Sequence, residues 1–286
     1  MCRISAVASP PRPQRAAPRE IAALTDLAAQ HPELAPAVAL ERELLDGERR
    51  LQRRIGTPWI DAAPEALASR LARGECLVEL AHLGLDWPEL RLRVRQVIDI
   101  LRRHDVLEPA DARRLQAIDR GPELPEVVGR WFESAPGRPP REGGGVDPVL
   151  GDVLALSVRP FLTRAADVLL QRVSVEDWAH ATCPMCGGRP VFAVLGSSGD
   201  RRLVCGRCQG RWPFEPRRCH HCLGRDDIRV LSAHDGIYQV TACGSCKRYL
   251  KALDVKRAGR PFFLQLDTVT TLPLDQAVVE QGYQAG

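Results

Sequence analysis

Several things that a membrane protein, an exported protein or a hydrolase would need are scarce in this sequence. Its 286 residues contain no stretch close to the ~20 uninterrupted apolar residues that cross a bilayer. The most apolar run, Val149 to Leu162, carries Asp152 and Arg159 and therefore reads as a core helix. The first eighteen residues are rich in Pro and Arg and lack the apolar block of a secretory signal. We expect a flexible arm over 1–18, with Cys2 an incidental thiol, and a cytoplasmic, reducing setting in which disulfides rarely persist. Aromatic residues make up only 5% of the chain, so its cores must rest largely on aliphatic side chains. The sequence offers no Ser-His-Asp set, phosphate loop or pair of catalytic carboxylates, which argues against hydrolase and kinase readings.

Cysteine is the counterweight. Eight of the ten cysteines form four Cys-x-x-Cys pairs in one short stretch: Cys183/Cys186, Cys205/Cys208, Cys219/Cys222 and Cys243/Cys246. Two thiolates three positions apart can grip one tetrahedral ion, and two such pairs close a four-sulfur site. Four pairs in order therefore point to two structural metal sites, and a reducing compartment favours metal over disulfide. Glycine after the second cysteine permits the positive φ of a tight knuckle, a need that Gly187 meets, whereas Gly206 and Gly244 sit inside their pairs.

Spacing suggests how the pairs combine. Eighteen residues separate Cys186 from Cys205, and twenty separate Cys222 from Cys243. Either gap holds a β-hairpin that returns the second pair to the first. Residues 189–195 and 201–204 read as strands around the turn Gly196-Ser197-Ser198-Gly199-Asp200. In the second half, 228–232 and 237–241 flank a turn containing Asp235-Gly236. The segment thus resembles an internal duplication of a metal ribbon. We pair Cys183, Cys186, Cys205 and Cys208 at one ion and Cys219, Cys222, Cys243 and Cys246 at another; joining the first pair with the third remains the alternative. Tetrahedral sulfur suits zinc and mononuclear iron alike, and spacing does not choose between them. With eight sulfurs filling two sites, His220 and His221 are expected to stay outside the coordination.

Upstream the period changes from two to 3.6. Asp86-Trp87-Pro88 opens a helix on which Leu90, Val94, Val97, Ile98 and Leu101 share a face. Weaker helical periods run over 21–30, 38–51 and 64–80, a short helix over 110–118, and Asp147-Pro148 starts another that Pro160 should kink or divide. These stripes read as bundle core, with Cys76 and His82 packed among them, and 135–145 reads as a loop. The expected architecture is α+β and multidomain: a helical bundle over 19–178, a tandem metal-ribbon region over 179–260 and a strand/helix tail over 261–286 packed on the body.

Charge is uneven. Between Cys183 and Arg260 fifteen Lys or Arg face six Asp or Glu, an excess of nine, although the whole chain carries only +4. Two divalent ions held by eight thiolates would remove four of those charges, so much of the basic character offsets sulfur.

The runs CPMCGGRP, LVCGRCQGRW, RCHHC and ACGSCKRYLK, with the tail LDTVTTLPLDQAVVEQGY and the HPEL at His31, resemble the formate dehydrogenase accessory protein family FdhE. The resemblance implies a helical N-terminal domain followed by rubredoxin-like Cys-x-x-Cys modules with the eight cysteines above as metal ligands. It also implies a cytoplasmic maturation factor, not an enzyme, that binds the catalytic subunit of a respiratory, molybdenum-containing formate dehydrogenase, with iron associated with the motifs. Lys247 departs from the pattern, standing where glycine is usual after the last cysteine. Two other classes compete. Trp212 and Phe214 among Arg207, Arg211, Arg217 and Arg218 could stack bases and neutralise phosphates in a nucleic-acid-binding ribbon, although such residues more often cover a small ribbon. A rubredoxin-like electron carrier would need a redox-active iron. A homodimer is left open, and membrane insertion is not expected.

Overall fold

The structure, a computed structural model, describes residues 16–58, 60–139, 145–196, 199–233 and 235–286, with side chains from residue 19 onward. Most of the expected arm, Cys2, residues 140–144 of the expected loop and Ser197–Ser198 of the first expected turn lie outside the described residues. The chain is α+β: helices come first, then a sheet that carries the cysteines.

Helix α1 spans Ala16–Gln30, α2 Ala35–Gln52, α3 Pro64–Ala72, α4 Trp87–Arg103, α5 Pro109–Arg120, α6 Leu124–Glu133 and α7 Pro148–Leu170. The start of α4 follows the sequence signal: the Asp86 side chain accepts from the Glu89 N–H at 3.1 Å, and Leu90, Val94, Val97, Ile98 and Leu101 are all buried. Asp147 caps α7 in the same way through the Leu150 N–H. Helices α2, α4 and α7 pack together and α5 and α6 close the bundle. Pro160 does not divide α7, which continues for 23 residues. The proline is itself buried among apolar neighbours on both sides, and that packing outweighs the ~3 kcal/mol that an interior proline costs a helix. The periodicity over 64–80 overreached: α3 stops at Ala72, and Gly74 (φ 76°) turns the chain into an extended strap. Helix α6 was not anticipated, although Val127, Val128, Trp131 and Phe132 mark its buried face.

The strap explains why 75–79 is not helical. Its Leu77 N–H donates to Pro184 O at 3.0 Å and its Val78 N–H to Met185 O at 2.7 Å, so it runs along the first cysteine knuckle. Gly137 N–H donates to Gly187 O from the other side. Arg207 stacks on the Trp131 ring and donates to the carbonyls of Trp131 and Phe132 at the end of α6, where the helix dipole favours a cation.

Strands are β1 Pro190–Leu195, β2 Arg201–Cys205, β3 Arg211–Pro213, β4 Ile228–Ser232, β5 Tyr238–Cys243 and β6 Arg248–Asp254. They form one sheet in the order β3-β2-β1-β6-β5-β4. The sequence duplication is visible in it: each ribbon contributes its third, second and first strands in turn. Pairings among these six strands are antiparallel except at the junction, where Ala193, Val194 and Leu195 run parallel to Ala252, Leu253 and Asp254. After β6 come α8 (Val255–Ala258), α9 (Leu264–Thr270), α10 (Leu272–Glu280) and the short β7 (Gln284–Ala285), which pairs with the start of β6.

Buried polar contacts fasten the tail. Asp267 on α9 is fully buried and accepts from Tyr238 Oη at 2.7 Å, Arg260 Nη2 at 2.6 Å and the Phe263 N–H at 2.8 Å. Leu266 and Val269 of α9 share an apolar cluster with Leu24 and Leu27 of α1 and Leu45 of α2.

Glu20 of α1 is buried near this seam. Burial pushes its carboxyl from 4.5 up to about 7; Arg49 pulls the other way, while Glu48 and Asp267 add repulsion. The folded protein then holds a proton on Glu20 that the unfolded chain releases near pH 4.5, so stability falls as pH rises from about 4.5 to 7. Glu20→Gln, which keeps an oxygen for Arg49, should flatten this decline and raise stability at alkaline pH by about 1–3 kcal/mol. Urea denaturation across the pH series measures it; an unchanged slope in the variant would exclude Glu20 as its source.

Candidate metal centres

Each Cys-x-x-Cys pair sits in a knuckle with the same backbone. The N–H of the residue after the second cysteine donates to the carbonyl of the first: Gly187 to Cys183 at 2.9 Å, Gln209 to Cys205 at 3.0 Å, Leu223 to Cys219 at 3.1 Å and Lys247 to Cys243 at 2.9 Å. All four closing residues have positive φ, at 75°, 58°, 63° and 57°, which turns the chain back so that in three knuckles the next carbonyl accepts from the N–H of the first cysteine, Gly188 O from Cys183, Gly210 O from Cys205 and Gly224 O from Cys219. Of the closing residues only the first is glycine. The departure at Lys247 therefore leaves the knuckle geometry intact, at the cost of the strain an L-residue bears in the left-handed region. A second glycine, two positions beyond the pair, went unnoticed in the sequence although it recurs as Gly188, Gly210 and Gly224. A Cβ at Gly188 would stand 3.0 Å from Cys205 Sγ, and one at Gly210 3.2 Å from Cys208 Sγ. These glycines leave room for sulfur.

The knuckles meet in the sequential arrangement. Cys183, Cys186, Cys205 and Cys208 form one cluster and Cys219, Cys222, Cys243 and Cys246 the other, with all four sulfurs of each within 4.8 Å of one another. The first pair does not join the third. Across the knuckles, Cys183–Cys208 and Cys186–Cys205 are 3.5 Å apart, Cys219–Cys246 3.6 Å and Cys222–Cys243 3.7 Å. These separations are far beyond a disulfide. A metal–sulfur bond of about 2.3 Å in a tetrahedron places its sulfurs about 3.8 Å apart, close to what is seen. The donor set therefore fits a thiophilic tetrahedral ion at both places. His220 and His221 lie outside the second cluster, as expected. Burial lowers His220 to about 3, with Arg201 and His221 adding repulsion, so the ring is neutral.

Electrostatics call for a cation. Burial, reinforced by hydrogen bonds that the thiol donates to the neighbouring cysteines, pushes Cys183 well above its usual range; burial opposes ionisation of Cys205 too, but the bonds it accepts from the same neighbours take it well below. A divalent ion in the middle would offset the burial and hold the sulfurs as thiolates. Backbone N–H groups already point at sulfur: Arg207 to Cys205 at 3.4 Å, Gly210 to Cys208 at 3.4 Å and His221 to Cys219 at 3.3 Å. In the second tetrad burial opposes ionisation of Cys243, yet the N–H groups of Cys246 and Ser245 bring it down to about 7.

The two tetrads differ in depth. The sulfurs of the inner one belong to cysteines that are at most 1% exposed and share the main core with Phe132, Phe161 and Leu77 of the helical part. In the outer one Cys222 is exposed and Cys246 half-buried. Cys76, the buried thiol of the strap, lies beside the inner tetrad: a Cβ on Gly187 would meet its sulfur at 3.4 Å. Trp212 is fully buried with its Nε1 donating to His180 O, and Phe214 is 6% exposed. Neither ring can stack on a base, which removes the feature that suggested nucleic acid. Among the described residues no helix is long and apolar enough to cross a membrane.

No family model matches the chain. Curated relatives are FdhE homologues. That of Pseudomonas aeruginosa is 28% identical over a region covering 46% of this chain and 48% of the relative. That of Haemophilus ducreyi is 29% identical, covering 46% and 43%, and that of Aquifex aeolicus 22% identical, covering 76% and 74%. The chain thus spans about half the length of the first two relatives. The crystal structure of the FdhE protein from Pseudomonas aeruginosa superposes with a TM-score of 0.66 at 20% identity and covers 96% of both chains, so the fold is shared throughout.

The glycines provide a test. Gly188→Ala should lower the metal content of the inner tetrad and destabilise the chain, because its Cβ presses on a sulfur that cannot retreat. Gly224→Ala, whose Cβ would make an ordinary 3.5 Å contact with Cys222 Sγ, should leave metal content unchanged. Elemental analysis and thermal denaturation of both variants decide between this contrast and equal behaviour.

Proposed function

We propose that this chain, similar in sequence and fold to FdhE proteins, is a cytoplasmic accessory protein needed to produce active formate dehydrogenase. In this reading it binds the immature catalytic subunit and does not turn over substrate. Cys183, Cys186, Cys205 and Cys208 hold one zinc or iron ion, and Cys219, Cys222, Cys243 and Cys246 hold another. Each ion, when bound, supplies the cross-link that fixes two knuckles at one point, with a free energy of about 10–16 kcal/mol for a structural site of this kind. The helical body (19–178), the ribbon region (179–260) and the tail (261–286) then act as one docking body.

The observation that carries the proposal is the pair of closed four-sulfur clusters in a chain of FdhE fold. Four protein sulfurs leave no open coordination position for a substrate, which favours a scaffold over a catalytic metal. Leu223 and Val230, exposed by 44% and 56% near the outer tetrad, supply apolar contact area for a protein client. The sheet would provide a rigid platform from which to present it.

Affinity-tagged protein purified anaerobically, from cells making a respiratory formate dehydrogenase, should carry that enzyme's catalytic subunit in mass spectrometry. The cysteine variant Cys205→Ser should lose it. Clean recovery of the intact protein without the subunit, the client being present, would count decisively against this reading.

A further inference from the structure

The duplicated ribbons have been given unequal surroundings, and that inequality has chemical content. Around the inner tetrad Cys183, Cys205 and Cys208 are 0% exposed and Cys186 1%. Its first knuckle is hydrogen-bonded to the strap through Pro184 O and Met185 O and to the 135–139 segment through Gly187 O. Its second is held by Arg207 against the end of α6. To release an ion from this position the helical body must part from the sheet.

The outer tetrad is held more lightly. Its first knuckle, 219–224, continues into exposed residues from His221 to Leu223. Arg201 of β2, only 4% exposed, fixes the approach to it by donating to Pro216 O at 3.3 Å and to Glu215 O at 3.4 Å. Its second knuckle is tied by the Gln284 N–H to Lys247 O and by Arg248 to Ala285 O, both contacts of the terminal strand. Cys219 and Cys243 are 2% exposed, but Cys222 faces solvent. Of the four cysteines Cys222 is the exposed one and Cys246 is half-buried, so the outer tetrad has a side at solvent that the inner one lacks.

We propose that the outer tetrad is a metal-exchange site, with Cys222 as the thiolate that first leaves the ion and meets incoming soft ligands, while the inner tetrad is a fixed pin. The incoming class is small thiols, thiophilic metal ions and soft carbon electrophiles, all of which attack or replace a metal–thiolate bond. With an alkylating reagent such as iodoacetamide, a sulfur–carbon bond forms, the metal–sulfur bond breaks and iodide leaves, with no change of metal oxidation state. With a chelator, the ion passes to the chelator and the freed thiolates take up protons. Exchange at the inner tetrad requires sub-global opening, whereas exchange at the outer one requires only local opening of an exposed turn. The inference rests on the reading of both tetrads as metal centres.

The test uses the full chain loaded with zinc. A coloured chelator, pyridylazoresorcinol, should withdraw two equivalents in two phases that differ at least about tenfold in rate, equivalent to about 1.4 kcal/mol in barrier. Pulsed iodoacetamide followed by peptide mass spectrometry should label Cys222 before Cys183, Cys186, Cys205 and Cys208. Cys222→Ser should lose the fast equivalent and keep the slow one, with its far-ultraviolet dichroism retained. A single release phase for both equivalents, or labelling of Cys186 as fast as Cys222, would overturn the proposal while leaving two metal centres standing. Protein that takes up neither zinc nor iron would instead overturn the metal-centre reading itself.

Discussion

Convergence of four sulfurs on one point is the constraint from which the rest of the structure follows. In every Cys-x-x-Cys knuckle of this chain the next residue turns left-handed, and in three of the four a glycine after it leaves room beside sulfur. The left-handed residues are Gly187, Gln209, Leu223 and Lys247. Three of these carry the conformation against their intrinsic preference, so the energy of the cluster and of the closing hydrogen bonds exceeds the local strain. Hairpins of fixed length then follow, because each must return its partner knuckle to the same point.

Embedding one of the two clusters changes what the ribbon is. The sheet joins both ribbons through the parallel contact of β1 with β6, and its inner tetrad lies in the same apolar core as the helices. The helical part reaches that tetrad with backbone, through the strap and the 135–139 segment, which Arg138 ties together by lying over Phe132 and donating to Val78 O; the ribbon reaches back with Arg207 over Trp131. A metal ribbon alone has little core. Here the helices supply it, and the cross-links of the ribbon in turn fix where the helices end. The tail completes the body from the other side through Asp267, which joins Tyr238 of β5 to Arg260 and α9.

Much of this was legible in the residues. The cysteine spacing and hairpin signals foretold two sequential tetrads, and Asp86-Trp87-Pro88 foretold the start of α4, because both are local and leave a chemical mark. The end of α3 was misread because Leu77 and Val78 continue an apolar period while serving an extended strap; burial alone does not distinguish the two. Of the two outcomes expected at Pro160, division of the helix does not occur, because local cost competes with packing that no single segment reveals. The positive φ at Lys247 was hidden by expecting glycine one residue too early, whereas Gly188, Gly210 and Gly224 held the stronger signal. Trp212 and Phe214 are core, the commoner of the two roles that their sequence setting allowed.

By itself, then, the sequence determined the ligand chemistry, the repeat, the change from helical to extended period and the resemblance to FdhE proteins. Those depend on residue type and on short, regular spacing. Which tetrad is sealed and which meets solvent was decided only by tertiary structure, as were the single sheet and the seam at Asp267. The two ribbons are locally alike, and the difference between them comes from segments more than forty residues away in the chain, such as Leu77 and Val78 on the first knuckle. Contacts of that range depend on how the chain closes on itself, and no local pattern records them.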